Sequence, residues 1–433
     1  MTRKIFGLSI IVILVLYGLV TGYMLDFIFL YPLFMSIMWI IGGLYFYFHW
    51  ERGTASPEVA PTVSSYPLVS LLIPCFNEGV NVAETIEAAN AQNWPNFEII
   101  AINDGSSDDT GVILDRLAQE YPRLRVIHFA ANQGKAMALR MGALAAKGEY
   151  LVCIDGDAML HPNATAFLVR PLIENPRVGA VTGNPRVRTR STFIGKIQVG
   201  EFSSIIGLIK RAQRIYGHLF TISGVICSFR RRALHDCGYW DLNMVTEDID
   251  ISWSLQLRHW AIQYEPNALC WILMPETLRG LWRQRVRWAQ GGAEVFFKNI
   301  VRIWKWTDHR MWILIVDFVL STVWAYSYLL SLVLWSLGKF GFEMPPTLNV
   351  PTIFPPAFWG LVLAFVNMLQ FVTAMTIETR YESKLLRLLG WIIWYPLVFW
   401  VISMFTMLVA VPKAFFKAKG TRAAWGSSDR GFR

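Results

Sequence analysis

The sequence predicts an α/β domain with a mainly parallel sheet, set between apolar helices at the N- and C-terminal ends of the chain. Three observations carry this. Of 433 residues, 54% are hydrophobic and only 16% charged, whereas a soluble domain carries roughly 25% charge. The uncharged stretches are concentrated at the two ends, at 5–25, 27–50, 318–338, 344–377 and 388–412. Between them, residues 51–310 have ordinary polar content, and short apolar runs alternate with helical patterns, the order that builds a parallel sheet.

Each uncharged run is long enough for the roughly 20 residues that a membrane-spanning helix needs. The fourth opens with MPPTLNVPTIFPP, so its helix is expected after Pro356. The first lacks a small-residue cleavage site and runs at once into a second apolar stretch, so it reads as a span rather than a cleaved leader. The expected division is two spans in 1–50, a soluble domain in 51–310 ending in amphipathic interface helices, about three spans in 311–412, and a basic tail in 413–433. Lys and Arg beside spans mark the cytoplasmic side. Arg3 and Lys4, and then Lys298, Arg302, Lys305 and Arg310, put the N-terminus and the soluble domain there. The tail conflicts with this count: five full crossings put it outside, yet KAFFKAKGTRAAWGSSDR is basic. One apolar run that re-enters or lies in the interface would remove the conflict.

The net charge of +9 suits anionic lipid headgroups or an anionic substrate. The basic residues cluster near the spans, so nucleic acid is not an expected partner. Cysteines 75, 153, 227, 237 and 270 have no metal-binding spacing and read as reduced and structural.

Within the middle block, Val69–Pro74 is a strand that runs into Asn77-Glu78-Gly79, followed by a helix from Val82 to Asn93. Phe97–Ile102 is a second strand ending in Asn103-Asp104-Gly105, and a helix follows to about Glu120. Leu124–Phe129 precedes Asn132-Gln-Gly-Lys135 and an Ala-rich helix, and Tyr150–Ile154 ends in Asp155-Gly156-Asp157. Ligands of such sheets bind at the carboxyl ends of strands. One crevice should therefore collect Asn77, Glu78, Asp104, Lys135, Asp155 and Asp157.

Asp155 and Asp157 could hold a hard divalent cation, since Mg2+ takes one or two carboxylates plus substrate phosphates. The bland reading is an Asp-Gly turn. Lys135 could reach a pyrophosphate or be a solvated surface lysine. Glu247 and Asp248 open a helix, where carboxylates cap and favour the dipole; the sharper reading is a general base. Gly224, between apolar residues, could let backbone approach a ligand or mark a bulge. In ETLRGLWRQRVRWAQGG, Gln284, Arg287 and Trp288 share one helical face. Arg and Trp there read either as membrane-interface anchors or as a bidentate phosphate clamp with a stacking platform for a sugar.

Taken in order, Asp104, Asp155-x-Asp157, Thr-Glu-Asp248 and Gln284-x-x-Arg287-Trp288 followed by spans, the pattern resembles the family 2 processive glycosyltransferases: the cellulose, chitin and hyaluronan synthases. The likeness runs from PCFNE at 74–78 to the last spans. Two N-terminal spans, the length, and a basic tail with Trp425 and SSDRG make the layout similar to the bacterial poly-β-1,6-N-acetylglucosamine synthases of biofilm formation. The resemblance implies a GT-A-like nucleotide-diphospho-sugar transferase domain and UDP-N-acetylglucosamine as donor. It implies that Asn77, Glu78, Asp104, Lys135 and Asp155 bind the donor, and that Asp157 with Asp155 holds Mg2+ or Mn2+. Asp248 is then the catalytic base, while Glu247, Gln284, Arg287 and Trp288 hold the diphosphate and the acceptor end of the growing polysaccharide. No cyclic di-GMP receptor domain is expected in this chain. A small membrane partner could carry that regulation and complete the polymer passage. Two rivals remain: a non-processive transferase acting on a polyprenyl phosphate, and a catalytically silent scaffold or dinucleotide receptor.

Overall fold

The computed structural model describes residues 1–352 and 357–423; Pro356, Trp425 and the SSDRG sequence lie outside the described residues. Eight strands form one sheet: β1 (Val69–Cys75), β2 (Phe97–Asn103), β3 (Leu124–His128), β4 (Tyr150–Ile154), β5 (Met159–Leu160), β6 (Val178–Val187), β7 (Ile226–Arg230) and β8 (Ala261–Ile272). Their order is β3-β2-β1-β4-β7-β6-β8-β5. The pairings make six of the eight strands run one way, with β7 and β5 opposed.

Helices α1 (Thr2–Thr21) and α2 (Met24–Phe46) precede the sheet. Helices α3 (Val82–Asn90), α4 (Thr110–Glu120), α5 (Lys135–Ala145) and α6 (Ala164–Glu174) connect its strands. Helix α7 (Phe193–Glu201) passes through a π-helical stretch, Phe202–Ile209, into α8 (Lys210–Tyr216). Then come α9 (Arg231–Cys237), α10 (Glu247–Gln256) and α11 (Leu278–Asn299). The last are α12 (Trp312–Lys339), α13 (Ala357–Glu378), the single turn α14 (Leu389–Ile392) and α15 (Tyr395–Phe416).

β1 is buried at every position, as expected of a strand covered on both faces. The pleat sends successive residues to opposite faces. Val69, Leu71, Ile73, Ile99, Ala101, Val152 and Ile154 enter one apolar layer, and Leu72, Ile100, Ile102, Leu151 and Cys153 enter the other. The five cysteines are all free.

Among the described residues five helices are long and apolar enough to cross a membrane. α15 is one of them, yet both its ends meet the sheet domain. At its start Tyr395 Oη donates to Glu201 Oε2 at 2.9 Å. Just past its end Lys417 Nζ donates to Glu294 Oε2 at 2.9 Å and to the Asn243 carbonyl at 2.5 Å. α15 packs along α11. A re-entrant or interfacial α15 leaves four crossings, and the tail then returns to the side of the sheet domain, where Arg422 donates to Gln133 Oε1 at 2.8 Å.

The sheet domain is tied to the membrane helices by buried ions. Arg211 on α8 grips Glu51 with two N–H groups at 2.6 and 2.7 Å. It also meets Glu378, at the end of α13, at 2.5 Å. Arg186 on β6 reaches the other oxygen of Glu378 at 2.5 Å, where Asn184 also donates at 3.2 Å.

Candidate active site

Parallel pairing of β1, β2 and β4 brings their carboxyl ends to one edge. Asn77 and Glu78 leave β1, Asp104 leaves β2, and Asp155 to Asp157 leave β4. β7 arrives from the opposite direction, with Ile226 paired to Ile154. Ser223 and Gly224, just ahead of β7, therefore lie at this same edge. Helix α10 delivers Glu247 and Asp248 there from its first turn, where the helix dipole favours negative charge.

The crevice is built around Lys135. Its Nζ lies 2.5 Å from Asp155 Oδ1 and 3.1 Å from Glu247 Oε1, which ties the end of β4 to the start of α10. Burial alone would pull this ammonium down, but the two carboxylates outweigh it and hold it above its ordinary value. Asp104 positions the lysine indirectly: its carboxylate is buried and accepts the N–H groups of Gln133 and Gly134 at 2.7 and 2.8 Å. Asn77 Oδ1 accepts from Ser107 N at 2.9 Å, which pins the loop after β2. Glu78 is buried beside Gly156, the residue between the two aspartates.

Asp157 is pushed up to about 7, first by burial and then by the charge of Asp155. Such a pair, oxygen-only and incompletely neutralised, fits a hard divalent cation whose other ligands come from a phosphate. Among the described residues no group of three or more His, Cys, Asp or Glu could hold a metal ion.

Asp248 Oδ2 accepts from Gly224 N at 3.3 Å, and its Oδ1 accepts from Ile249 N at 2.9 Å. A Cβ at position 224 would come within 3.1 Å of Oδ2, so the glycine permits the close approach. Burial and the charge of Glu247 raise Asp248 to about 6, against the pull of Lys135 and Arg287. Glu247 is lowered: burial opposes this, but Lys135 and Arg287 hold its carboxylate ionised.

Arg287 on α11 is exposed and, among the described residues, makes no ion pair, so its guanidinium is available to an anion. Gln284 accepts from Arg285 Nη1 at 3.2 Å. Trp288 lines a cavity of about 350 Å³. That cavity begins beside Lys210, Glu201 and Arg285 and continues between membrane helices past Phe318, Trp324 and Trp400. The carboxylates and Lys135 thus meet at the crevice, the charge of Arg287 is felt by Glu247 and Asp248, and Trp288 lines the neighbouring cavity.

The sequence family described as Glycosyl transferase family 2 matches residues 70–238. The chain is 40% identical over 416 residues to the poly-β-1,6-N-acetyl-D-glucosamine synthase of Staphylococcus epidermidis, covering 94% of this chain and 98% of that protein. It is also 40% identical over 407 residues to the enzyme of the same name from Staphylococcus aureus strain COL, with the same coverage. The chain belongs to glycosyl transferase family 2. A solved mannosyltransferase from Pyrobaculum calidifontis, in complex with GDP-Man and Mn2+, has the same fold, with a TM-score of 0.54 at 18% identity. It covers 94% of this chain and 98% of that one.

In this glycosyltransferase three side chains that sequence reasoning had not assigned join the site. Arg285 pairs with buried Glu201 at 2.7 Å and lies 4.3 Å over the ring of Trp288, which fixes the indole. Lys210 lines the cavity. The alternation of Arg with Trp in α11 pointed to this region, but nothing local distinguishes Arg285 from its neighbours.

Gly291 lets α11 pack against the residue before Glu247, since a Cβ there would overlap Thr246 Oγ1. Gly291→Ala is expected to displace the start of α10. Overpacking of this kind costs about 1–3 kcal/mol, and because Asp248 moves with the helix, turnover should fall further than stability. Comparing the thermal midpoint with the rate of sugar transfer checks this; wild-type values of both would mean the interface yields freely.

Proposed function

We propose that the chain polymerises N-acetylglucosamine from UDP-N-acetylglucosamine into a β-linked polysaccharide, with the β-1,6 linkage of its Staphylococcus relatives. In this reading it works in the bacterial inner membrane with its catalytic block in the cytoplasm and passes the polymer outward. The observation that supports the reading is a cavity between membrane helices lined by Trp288 and Lys210, with Lys210 bonded to Ser223 next to the contact of Gly224 with Asp248. A single-sugar transfer to a lipid needs no such passage.

In the mechanism, Asp248 takes the proton from the acceptor hydroxyl as that oxygen attacks C1 on the face opposite UDP. Inversion turns the α-linked donor into a β-linked product without a covalent enzyme intermediate. Asn77, Glu78, Asp104, Lys135 and Asp155 form the donor side. Glu247, Gln284 and Arg287 hold the diphosphate and the acceptor end, and Trp288 offers a flat apolar face to the terminal ring. Asp157 with Asp155 would hold Mg2+ or Mn2+, whose chemistry is to offset charge on the departing diphosphate. A small membrane partner that completes the passage, and through which cyclic di-GMP acts, belongs to the same reading.

The test is UDP release by the purified protein across a panel of UDP-sugars, with Mg2+, with Mn2+ and after chelation. UDP-N-acetylglucosamine should be preferred and chelation should abolish turnover reversibly; preference for another UDP-sugar would overturn the donor assignment. A pH dependence also follows. Asp248 must be ionised to act as base, and it is raised to about 6. kcat/KM should therefore be level above that pH and fall about tenfold per unit below it. An acid limb centred near 4 would show that burial and Glu247 do not raise Asp248.

A further inference from the structure

A buried lysine on the cavity lining is bonded to the loop that touches Asp248. Lys210 begins α8, at the exit from the π-helical stretch, and is 4% exposed. Its Nζ donates to Thr182 Oγ1 on β6 and to Ser223 Oγ, both at 2.9 Å. Ser223 directly precedes Gly224, whose N–H meets Asp248, so the lysine is braced by the same loop that touches the base. An ammonium carries three N–H donors, and two are used. Among the described residues the third makes no hydrogen bond and no carboxylate lies within the 4 Å of an ion pair; the centroid of the Tyr264 ring stands 6.0 Å from Nζ.

A buried cation without a counter-ion is costly, and hydroxyl partners offset only part of that cost. Burial accordingly lowers Lys210 to about 7, against the charge of Asp248, which draws it upward. Lys210 shares the cavity mouth with Trp288, Arg285, Thr221 and Gln213. A polar donor fixed beside an indole is the arrangement that orients a sugar ring, with the ring face on the indole and a substituent oxygen on the donor. We propose that Lys210 is an acceptor-binding residue, whose N–H left free by Thr182 and Ser223 donates to an oxygen of the terminal sugar and so fixes which hydroxyl faces Asp248. This rests on the acceptor site described under the proposed function. It assigns to a single side chain the choice of linkage, which no motif in the chain specifies.

The test is equilibrium titration of the purified full-length protein with a β-1,6-linked N-acetylglucosamine tetrasaccharide and, separately, with UDP. Lys210→Met is expected to weaken tetrasaccharide binding at least tenfold while UDP affinity stays within twofold. Its products should be shorter than wild type and mixed in linkage. If Lys210→Met does not yield folded protein, Lys210→Gln, neutral but still a donor, carries the same titrations with a smaller loss. Unchanged tetrasaccharide affinity overturns the inference, and so does an equal loss of UDP affinity, which would mark a structural lysine. Wild-type protein that binds no tetrasaccharide overturns it as well. Wild-type protein that binds the tetrasaccharide but does not turn over UDP-N-acetylglucosamine overturns the donor assignment alone.

Discussion

Asp248→Asn is expected to lower polymerisation by about 10²–10⁴-fold, the usual contribution of a positioned general base, and to leave UDP-sugar binding near wild type. The substitution is nearly isosteric. The amide oxygen can still accept from Ile249, which now meets Oδ1 at 2.9 Å, while the weaker contact of Gly224 with Oδ2 at 3.3 Å is given up, so α10 should stay in place. What disappears is the ability to receive a proton. The neighbours argue for this residue over Glu247: Glu247 is committed to Lys135 at 3.1 Å and lowered, whereas Asp248 is raised and has no ion-pair partner among the described residues. Initial rates of UDP release beside direct donor binding check the expectation. Turnover above a tenth of wild type would assign the proton transfer elsewhere, and lost donor binding would make Asp248 a donor ligand.

Glu378→Gln should destabilise the protein more than any exposed substitution. The carboxylate is fully buried between Arg211 and Arg186, with Asn184 as a third donor. Removing one partner from a buried ion network leaves uncompensated charge and costs about 3–5 kcal/mol. Arg211 keeps Glu51 and Arg186 keeps Glu382 at 3.1 Å, so the fold should survive with a lowered thermal midpoint. The network joins the ends of α2 and α13 to α8 and β6, and α8 carries Lys210 at the cavity mouth. Loosening it should therefore shorten the polymer as well as lower the midpoint. An unchanged midpoint in detergent would mean that water reaches these ions.

The part of this architecture that was legible in the sequence lies where local chemistry and local structure coincide. Tyr150–Ile154 followed by Asp-Gly-Asp reads as a strand with carboxylates at its end, and the parallel register puts Asn77, Asp104 and Asp155 on one edge as that reading requires. The helix expected to Asn93 ends at Asn90, a difference at a frayed boundary. Other features depend on partners far away in the chain. Nothing in ISGVICSFR announces that β7 runs against β4, yet that reversal is what brings Gly224 to Asp248. Arg285 and Glu201 meet across 84 positions, and Lys210 is held by hydroxyls on β6 and the loop before β7. The conflict over the tail would disappear if α15 did not cross. Its ends, Tyr395 on Glu201 and Lys417 on Glu294, give it a path that no composition encodes.

The central claim is that the site builds a long polymer rather than transferring one sugar. The most direct measurement is the length and linkage of the product made from radiolabelled UDP-N-acetylglucosamine by membranes containing this chain, with the proposed small membrane partner and cyclic di-GMP supplied. A long β-1,6-linked polymer of N-acetylglucosamine is the expected product. Label recovered only as a lipid carrying a single sugar would contradict the claim and turn the cavity behind Trp288 from a polymer passage into a lipid-binding site.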